Sequence, residues 1–388
     1  MIFLALRLAN ALAVRTFFQP DEYFQSLEPA WSTALGPHSG AWITWEWRES
    51  LRSSIHPLLF AAAYKAALLL CSCTGASVAT RSEVLLAAPK ILQAVFAALT
   101  DYGTYLLGRR VYGDQPGAVS ATIVLTALSP WSAFVSVRTL SNSFETTLTV
   151  LALYLWPWDW FWSHADRERP SSTPDVLSDD ALTRPELYPS LAAAALACIL
   201  RPTNLIIWAT ITLSLLLRRG TWKQALQLAR TAVVTGSAVL ALSIGSDRIY
   251  YGSWVFPPLR FLYFNVVQSL SAFYGQNRPD YYITEGLPLL LTTALPFASV
   301  GIWNAMRPPV SRKPTQTHDI CFTLTLAIAA TISTLSLISH KEVRFIYPLL
   351  PMLHILSAPP LATFLARPPT TTKKFLLTTL LLANLSLA

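Results

Sequence analysis

The sequence is short of charge. Only 13% of its 388 residues are Asp, Glu, Lys or Arg, whereas 53% are hydrophobic and the mean hydropathy is +0.42. A soluble globular domain usually carries about a quarter charged residues, so this composition excludes a single soluble core. Hydrophobic runs recur from one end of the chain to the other. They predict one all-α polytopic membrane domain, residues 1–388, rather than a soluble domain with an anchor.

Several chemical signatures are also missing. Cysteine occurs only four times, at Cys71, Cys73, Cys198 and Cys321, without zinc spacing or a disulfide pattern, so we expect buried apolar residues there. There is no Asp-x-Asp motif, P-loop or Gly-x-Ser-x-Gly elbow. These absences argue against a nucleotide-sugar enzyme of the soluble kind. The formal charge of +8 collects in short loops instead of a basic face, which indicates membrane orientation and excludes a nucleic-acid partner.

Hydropathy predicts about eleven membrane spans. They cover residues 2–14, 84–107, 117–136, 140–162, 187–200, 203–217, 224–244, 287–305, 319–338, 345–364 and 374–388. Clustered Arg and Lys place one set of loops in the cytoplasm, including a linker, 163–186, whose Ser-, Pro- and Asp-rich part, 171–185, is predicted to be disordered. A large first loop, 15–83, and a second loop, 245–286, are then luminal. Within the first loop, the apolar stretch His56–Cys73 is predicted as an interfacial helix, because another span would reverse every later loop.

Two adjacent carboxylates, Asp21 and Glu22, follow the first apolar helix. Pro20 suits the first turn of a new helix, so both acids are predicted at its positively polarised end near the bilayer surface. A carboxylate placed there can act as a general base, although an arbitrary acidic pair more often caps a helix in solvent. The surrounding aromatics suit either a sugar-binding surface or an ordinary membrane interface: Tyr23, Phe24, Trp31, Trp42, Trp45 and Trp47.

A basic cluster, His340, Lys341 and Arg344, stands at the luminal start of a later span. Arg344 can bind phosphate oxygens bidentately, Lys341 supplies a point charge, and His340 can donate from the same side. The alternative is that these side chains snorkel and fix the helix end. On spacing alone, the two interpretations are equally supported.

Further polar residues enter predicted spans just past luminal turns: Arg138, Asn142, Glu145 and Arg201. Ionisable groups at that depth are costly and tend to line a cavity, but they also bond between neighbouring helices. Both interpretations stay open for these residues. For Lys90 and Asp101 we favour the structural one.

Six blocks of sequence together resemble glycosyltransferase family 22. They are Phe18–Glu28, Trp45-Glu46-Trp47, Arg138–Asn142, Phe273-Tyr274-Gly275, Glu285–Pro288 and His340–Pro348. As a set they are specific, and they extend over nearly the whole chain.

Two features depart from the family pattern. Gln276–Asp280 stands where relatives tend to carry a Pro-Trp-His-like stretch, and the chain ends at Ala388 inside its last apolar segment, which is consistent with a truncated gene product.

The resemblance implies a GT-C type fold in the endoplasmic reticulum membrane, embedded among membrane lipids. It implies dolichyl phosphate mannose as donor and a GPI glycolipid precursor as acceptor, with inverting transfer to its second mannose in α-1,2 linkage. Asp21 then matches the base, Glu22 an orienting partner, and His340, Lys341 and Arg344 the residues near the donor phosphate. One base and charge stabilisation of the departing dolichyl phosphate then suffice, so the resemblance implies neither a metal nor a cofactor. Substrate contacts are expected from Tyr23, Gln25, Trp45, Glu46, Arg138, Asn142, Glu145 and Arg201.

Two rival functions remain. A sister enzyme of the same family would mannosylate the dolichol-linked N-glycan precursor or add a fourth GPI mannose. A glycolipid transporter or scramblase would move similar lipids without sugar transfer, but the paired inverted half-repeats of many transporters are missing from the sequence.

Overall fold

The computed structural model describes residues 1–113, 115–162, 184–268, 270–308, 315–368 and 370–387. Over these ranges the chain forms helices and connecting segments, without β-strands. Most of the predicted cytoplasmic linker, residues 163–183 of 163–186, lies outside the described residues.

The α-helices follow one another with few long connections. In chain order they are α1 (Ile2–Ala13), α2 (Glu28–Leu35), α3 (Trp45–Arg48), α4 (Ile55–Cys73), α5 (Val78–Tyr112), α6 (Pro116–Ala127), α7 (Pro130–Val135), α8 (Ser141–Leu155), α9 (Leu187–Leu200), α10 (Leu205–Arg219), α11 (Trp222–Tyr251), α12 (Pro257–Leu262), α13 (Leu287–Leu291), α14 (Leu295–Met306), α15 (Gln316–Ser336), α16 (Leu350–Ala366) and α17 (Thr371–Leu387). Wider π-helical turns occupy Tyr23–Leu27, Tyr263–Val267 and Tyr282–Gly286, and a 3₁₀ segment, Val343–Leu349, leads into α16.

Six segments are long and apolar enough to cross a bilayer within the described ranges. They are Ile55–Cys73, Val78–Tyr112, Trp222–Tyr251, Tyr282–Met306, Gln316–Ser336 and Val343–Ala366. The all-α polytopic membrane fold is thereby confirmed, whereas the number of eleven spans stays a prediction. The stretch expected to lie at the interface forms α4, which packs on α2 and α5 and meets the same length and composition criteria.

Some predicted spans are broken in the structure. The expected span 117–136 consists of α6 and α7, because the chain turns at Ser129, whose hydroxyl accepts a hydrogen bond from the Ser132 amide and caps α7. Pro130 follows in the first turn, where its missing N–H costs nothing. Averaged hydropathy cannot register such a break, since both sides of it are apolar.

Buried polar contacts fix α1 against the bundle. Arg7 and Asp101 are both inaccessible and pair at 2.6 Å between Nε and Oδ2, and Lys90 donates to the Val14 carbonyl at 2.9 Å. Asp101 and Lys90 therefore bind within the bundle, in agreement with the structural interpretation. The expectation of buried cysteines is correct only for Cys71: Cys198 and Cys321 are partly exposed, and Cys73, the last residue of α4, is exposed.

A tryptophan cluster fixes α8 against α10. Trp156 and Trp158, just after α8, are at most 1% exposed, and Trp156 lies 5.8 Å from the ring of Trp208 on α10. Removing such a side chain from a core typically costs about 3–5 kcal/mol. This packing holds the start of α10 in place. The first turns of α10 border a large cavity.

Candidate active site

A cavity of about 1340 Å³ lies between the segment that joins α1 to α4 and the segment that precedes α16. It exceeds the roughly 300–1,000 Å³ of a drug-sized pocket. One end is polar. The other is an apolar groove between α10 and α15, lined by Leu205, Ile206, Ala209, Thr210, Ala330, Thr334, Leu335 and Ile338.

Asp21 lies at the polar end. As expected, the chain becomes helical directly after Pro20, and the following residues, Tyr23–Leu27, form a π-helical turn. Such turns are frequent at functional sites, because the wider turn redirects side chains. The Asp21 side chain is one quarter exposed, and its Oδ2 lies 2.6 Å from Nη1 of Arg344. The predicted base and a predicted phosphate ligand are thus direct neighbours.

Glu342 organises the basic residues. It accepts two hydrogen bonds from Arg344, at 2.6 and 2.8 Å, one from Nε2 of His340 at 3.0 Å and one from Nε2 of Gln19 at 3.0 Å. Burial acts to raise the pKa of the Glu342 carboxyl, but these hydrogen bonds and the Arg344 charge hold it well below its ordinary value. Glu342 is therefore a carboxylate at neutral pH that orients its neighbours.

Lys341 presents a buried ammonium group to the cavity. It is 3% exposed, and its Nζ donates to the Asn277 carbonyl at 3.1 Å. None of the ion pairs found in the described ranges involves it, whereas Arg344 and the neighbouring Arg52 both have carboxylate partners. A buried charge without a counter-ion favours the binding of an anion.

Arg201 adds a third guanidinium to the polar end. Its Nε lies 3.5 Å from Glu145 Oε2, and Asn204 donates to the other carboxylate oxygen at 2.9 Å. Burial lowers the pKa of Arg201 to about 10; Glu145 opposes this, while the charges of Arg52 and Arg344 add to it. Three guanidinium groups therefore repel one another here, and an anion would relieve that repulsion.

Glu22 and Arg138 form a separate pair away from the cavity. Both Glu22 oxygens lie 3.3 Å from Nη1 of Arg138, which also donates to the Thr16 carbonyl at 2.8 Å. The Arg138 guanidinium rests 4.1 Å from the centre of the Phe134 ring. Because both partners are buried and bound to each other, the pair holds the first loop onto α7 instead of facing a substrate.

Glu22→Gln is expected to destabilise the fold without changing the chemical step. The substitution leaves the buried Arg138 charge without a counter-ion, which typically costs about 3 kcal/mol. Thermal unfolding in detergent should show a lowered Tm, and Glu285→Gln, at an exposed acid paired with Arg278, should leave it unchanged. A variant with normal Tm and no transfer would instead place Glu22 in the reaction.

The cavity divides the predicted site residues into two groups. Eight border it: Asp21, Gln25, Trp45, Glu46, Arg201, His340, Lys341 and Arg344. The structure places five outside its walls: Glu22, Tyr23, Arg138, Asn142 and Glu145. Glu145 contacts the site through Arg201, Tyr23 stacks on Phe17, and Asn142 is fully buried at the start of α8.

Other cavity residues were missed from the sequence. They include Gln19, Arg52, Asn277 and Glu342; Tyr274 also borders the cavity and lies in the family block Phe273-Tyr274-Gly275, although no site role was assigned to it. Glu342 stands inside the basic motif, so its position between His340 and Arg344 was a usable signal. Arg52 gave none, because its place at the cavity wall, where it pairs with Glu46 at 2.9 Å, depends on how the first loop folds.

Comparison with known proteins gives this geometry a context. The model of the Alg9-like mannosyltransferase family matches residues 1–388. The chain belongs to this family. The resemblance to glycosyltransferase family 22 is thereby confirmed.

GPI mannosyltransferase 3 of Aspergillus fumigatus is 52% identical over 372 residues, which make up 93% of this chain and 48% of that protein. GPI mannosyltransferase 3 of Gibberella zeae is 44% identical over 377 residues, 95% of this chain and 60% of that protein. The Alg9-like chain thus spans about half the length of the curated relatives it matches.

A solved structure shares the fold. ArnT from Cupriavidus metallidurans, crystallised with undecaprenyl phosphate, matches with a TM-score of 0.65 and 16% identity, covering 97% of this chain and 62% of ArnT. Its apo structure matches with a TM-score of 0.57. The Alg9-like chain therefore has the expected GT-C type fold.

Proposed function

We propose that this chain transfers mannose from dolichyl phosphate mannose to the second mannose of a GPI precursor. The product linkage is α-1,2, the reaction inverts the anomeric carbon, and the site faces the lumen of the endoplasmic reticulum. One observation carries the proposal: the Asp21 carboxylate and three buried cations share the polar end of a cavity that continues into an apolar groove. The names of the relatives support the GPI acceptor.

The donor fits this division of the cavity. Its phosphate binds Arg344, Lys341 and Arg201, where fixed positive charge is concentrated. His340 borders the same end, but its Nε2 bonds Glu342 and its Nδ1 lies 3.2 Å from the Gly275 carbonyl, so it supports Glu342.

The donor's isoprenoid chain lies in the groove between α10 and α15. Leu205 is 61% exposed and Leu337 87% exposed, so the groove opens sideways toward lipid. The undecaprenyl phosphate in ArnT supports a lipid phosphate in this fold.

Asp21 acts as the general base. It takes the proton of the acceptor hydroxyl, whose oxygen attacks the anomeric carbon from the face opposite the phosphate. The bond from that carbon to the phosphate oxygen breaks, and the electron pair leaves with dolichyl phosphate, whose charge Arg344 and Lys341 stabilise. In the structure Arg344 pairs with Asp21 at 2.6 Å. The donor phosphate competes for that guanidinium and leaves the Asp21 carboxylate available to the acceptor.

The acceptor sugar binds beside Trp45 and Gln25. Trp45 Nε1 donates to the Tyr274 hydroxyl at 3.2 Å, so these two rings connect the loops on either side of the cavity mouth. Glu46 borders the same wall and is held by Arg52. Aromatic faces flanked by fixed polar groups suit a sugar, whose ring presents both apolar C–H faces and hydroxyls.

Membranes containing the chain should transfer labelled mannose from dolichyl phosphate mannose to a two-mannose GPI precursor. The product should be sensitive to an α-1,2-specific mannosidase, and Asp21→Asn membranes serve as the negative control. Transfer to a dolichol-linked N-glycan precursor or to a three-mannose GPI acceptor would favour a sister enzyme. Movement of glycolipid without sugar transfer would favour a transporter.

A further inference from the structure

A second charged cluster lies at the ends of α10 and α15 that are remote from the cavity. Asp319 accepts hydrogen bonds from Arg218 Nη1 at 2.8 Å and from Arg219 Nε at 2.9 Å, one on each carboxylate oxygen. Arg218 also donates to the Thr323 hydroxyl at 2.5 Å and lies 4.7 Å from the Phe322 ring. We call Arg218, Arg219, Asp319 and Thr323 the α10–α15 clamp.

The clamp joins the same two helices that form the groove. Leu205, Ile206, Ala209 and Thr210, in the first turns of α10, border the cavity. Arg218 and Arg219 are the last residues of the same helix. The helices run in opposite directions, since Asp319 is in the first turn of α15 and the groove residues Ala330 and Thr334 are near its end. At 1.5 Å per residue, the clamp lies about 12 Å from the groove along α10 and about 16 Å along α15.

The clamp joins α10 and α15 at one end, and residues at the other ends of the same two helices border the cavity. Asp319 is only 5% exposed, and each arginine is fixed by more than one contact: Arg218 also donates to the Ser214 carbonyl, and Arg219 lies 4.3 Å from the Trp162 ring. Asp319 bridges two partly buried arginines, and charge-assisted hydrogen bonds of this kind restrict the separation and rotation of the helices that carry them.

Between the clamp and the groove, α10 and α15 are in contact, and both contribute buried residues to the core, among them Ile211 and Leu324. Close packing of this kind carries a displacement at the clamp along the helices to the groove.

We propose that the α10–α15 clamp positions the groove, so that its width fits the isoprenoid chain of the lipid donor. This rests on the proposed function, because it assumes a donor with a long lipid chain. Asp319 is then a positioning residue. It touches neither sugar nor phosphate, and it acts by fixing two helices whose opposite ends contact the chain.

Two donors that differ only in chain length test the clamp. One is full-length dolichyl phosphate mannose, and the other is a mannosyl phosphate on a two-isoprene chain too short to fill the groove. Asp319→Asn should raise KM for the long-chain donor about tenfold, in keeping with the effect of small misplacements remote from the chemistry. It should leave kcat with that donor and both constants with the short-chain donor within about twofold of wild type.

Glu186→Gln is the matched control, since Glu186 forms a partly exposed pair with Arg184 and borders no part of the cavity. An equal loss of transfer activity with both donors would show that Asp319 serves only the stability of the fold, and it would overturn the proposal. If Asp319→Asn does not fold, Arg219→Lys keeps the charge but loses the Nε contact. It should raise KM for the long-chain donor selectively, and an unchanged ratio of the two KM values would overturn the proposal as well.

The outcome for the clamp is separable from that for the proposed function. Wild-type membranes that transfer no mannose from either donor contradict the proposed function itself. If the wild type transfers mannose and Asp319→Asn keeps the wild-type preference for the long-chain over the short-chain donor, only the role of the clamp is contradicted.

Discussion

Asp21→Asn is expected to lower kcat for mannose transfer by roughly 10²- to 10⁴-fold, the usual contribution of a general base. Asparagine keeps the size and polarity of the side chain but cannot accept the proton of the acceptor hydroxyl. The substitution also releases Arg344 from its 2.6 Å ion pair. Donor binding should therefore be unchanged or tighter, so the loss appears in kcat and not in KM. The measurement is initial-rate transfer of labelled mannose with both substrates varied.

Asp280→Asn is the control for this experiment. Asp280 is an exposed carboxylate, half accessible and paired with Arg278, and it does not border the cavity. Its substitution should leave both constants at wild-type values. Turnover by Asp21→Asn close to wild type would remove Asp21 from the role of base, and an equal rise in KM would indicate a binding role instead.

Arg344→Gln is expected to impair both donor binding and the chemical step. Arg344 is 7% exposed and bonds two carboxylates, Asp21 and Glu342, so its loss leaves two negative charges at the place assigned to the phosphate. KM for the donor should rise because those charges repel it. By analogy with the loss of one oxyanion-stabilising donor, kcat should fall by roughly 10²- to 10³-fold.

Arg344→Lys separates charge from geometry. Lysine keeps the positive charge but cannot bind two groups with a planar fork, so intermediate values of both constants are expected. Arg278→Gln, at an exposed arginine outside the cavity, should behave as wild type. Normal donor KM in Arg344→Gln, with the protein folded, would contradict the assignment of the phosphate to this end of the cavity.

The relation between Asp21 and Glu22 shows how far sequence reasoning reached. The acidic pair, the helix start after Pro20 and the resemblance of the block to a known family were all readable from the chain. The direction in which each side chain points could not be read from the chain. Consecutive residues on a helix point about 100° apart, and the sequence does not show which of the two faces the cavity. In the structure, one faces Arg344 at the cavity, and the other is bound to Arg138.

Glu145 and Arg201 illustrate a second limit. Their unusual depth in apolar segments correctly marked them as paired or functional residues. Only the packing of α8 against the turn before α10 shows that they pair with each other, with the arginine at the cavity wall and the glutamate behind it. Sequence separation gives no information on such a contact, since it depends on how the helices lie side by side.

The sequence by itself determined that this protein is an α-helical membrane protein, because burial of its apolar runs requires lipid and internally bonded helices. It also located the acidic loop and the basic motif, and its family blocks pointed to mannose transfer. The tertiary structure alone decided which charges meet. Asp21 and Arg344 are more than 300 residues apart, and they become neighbours only because the helices between them pack into one bundle around a shared cavity.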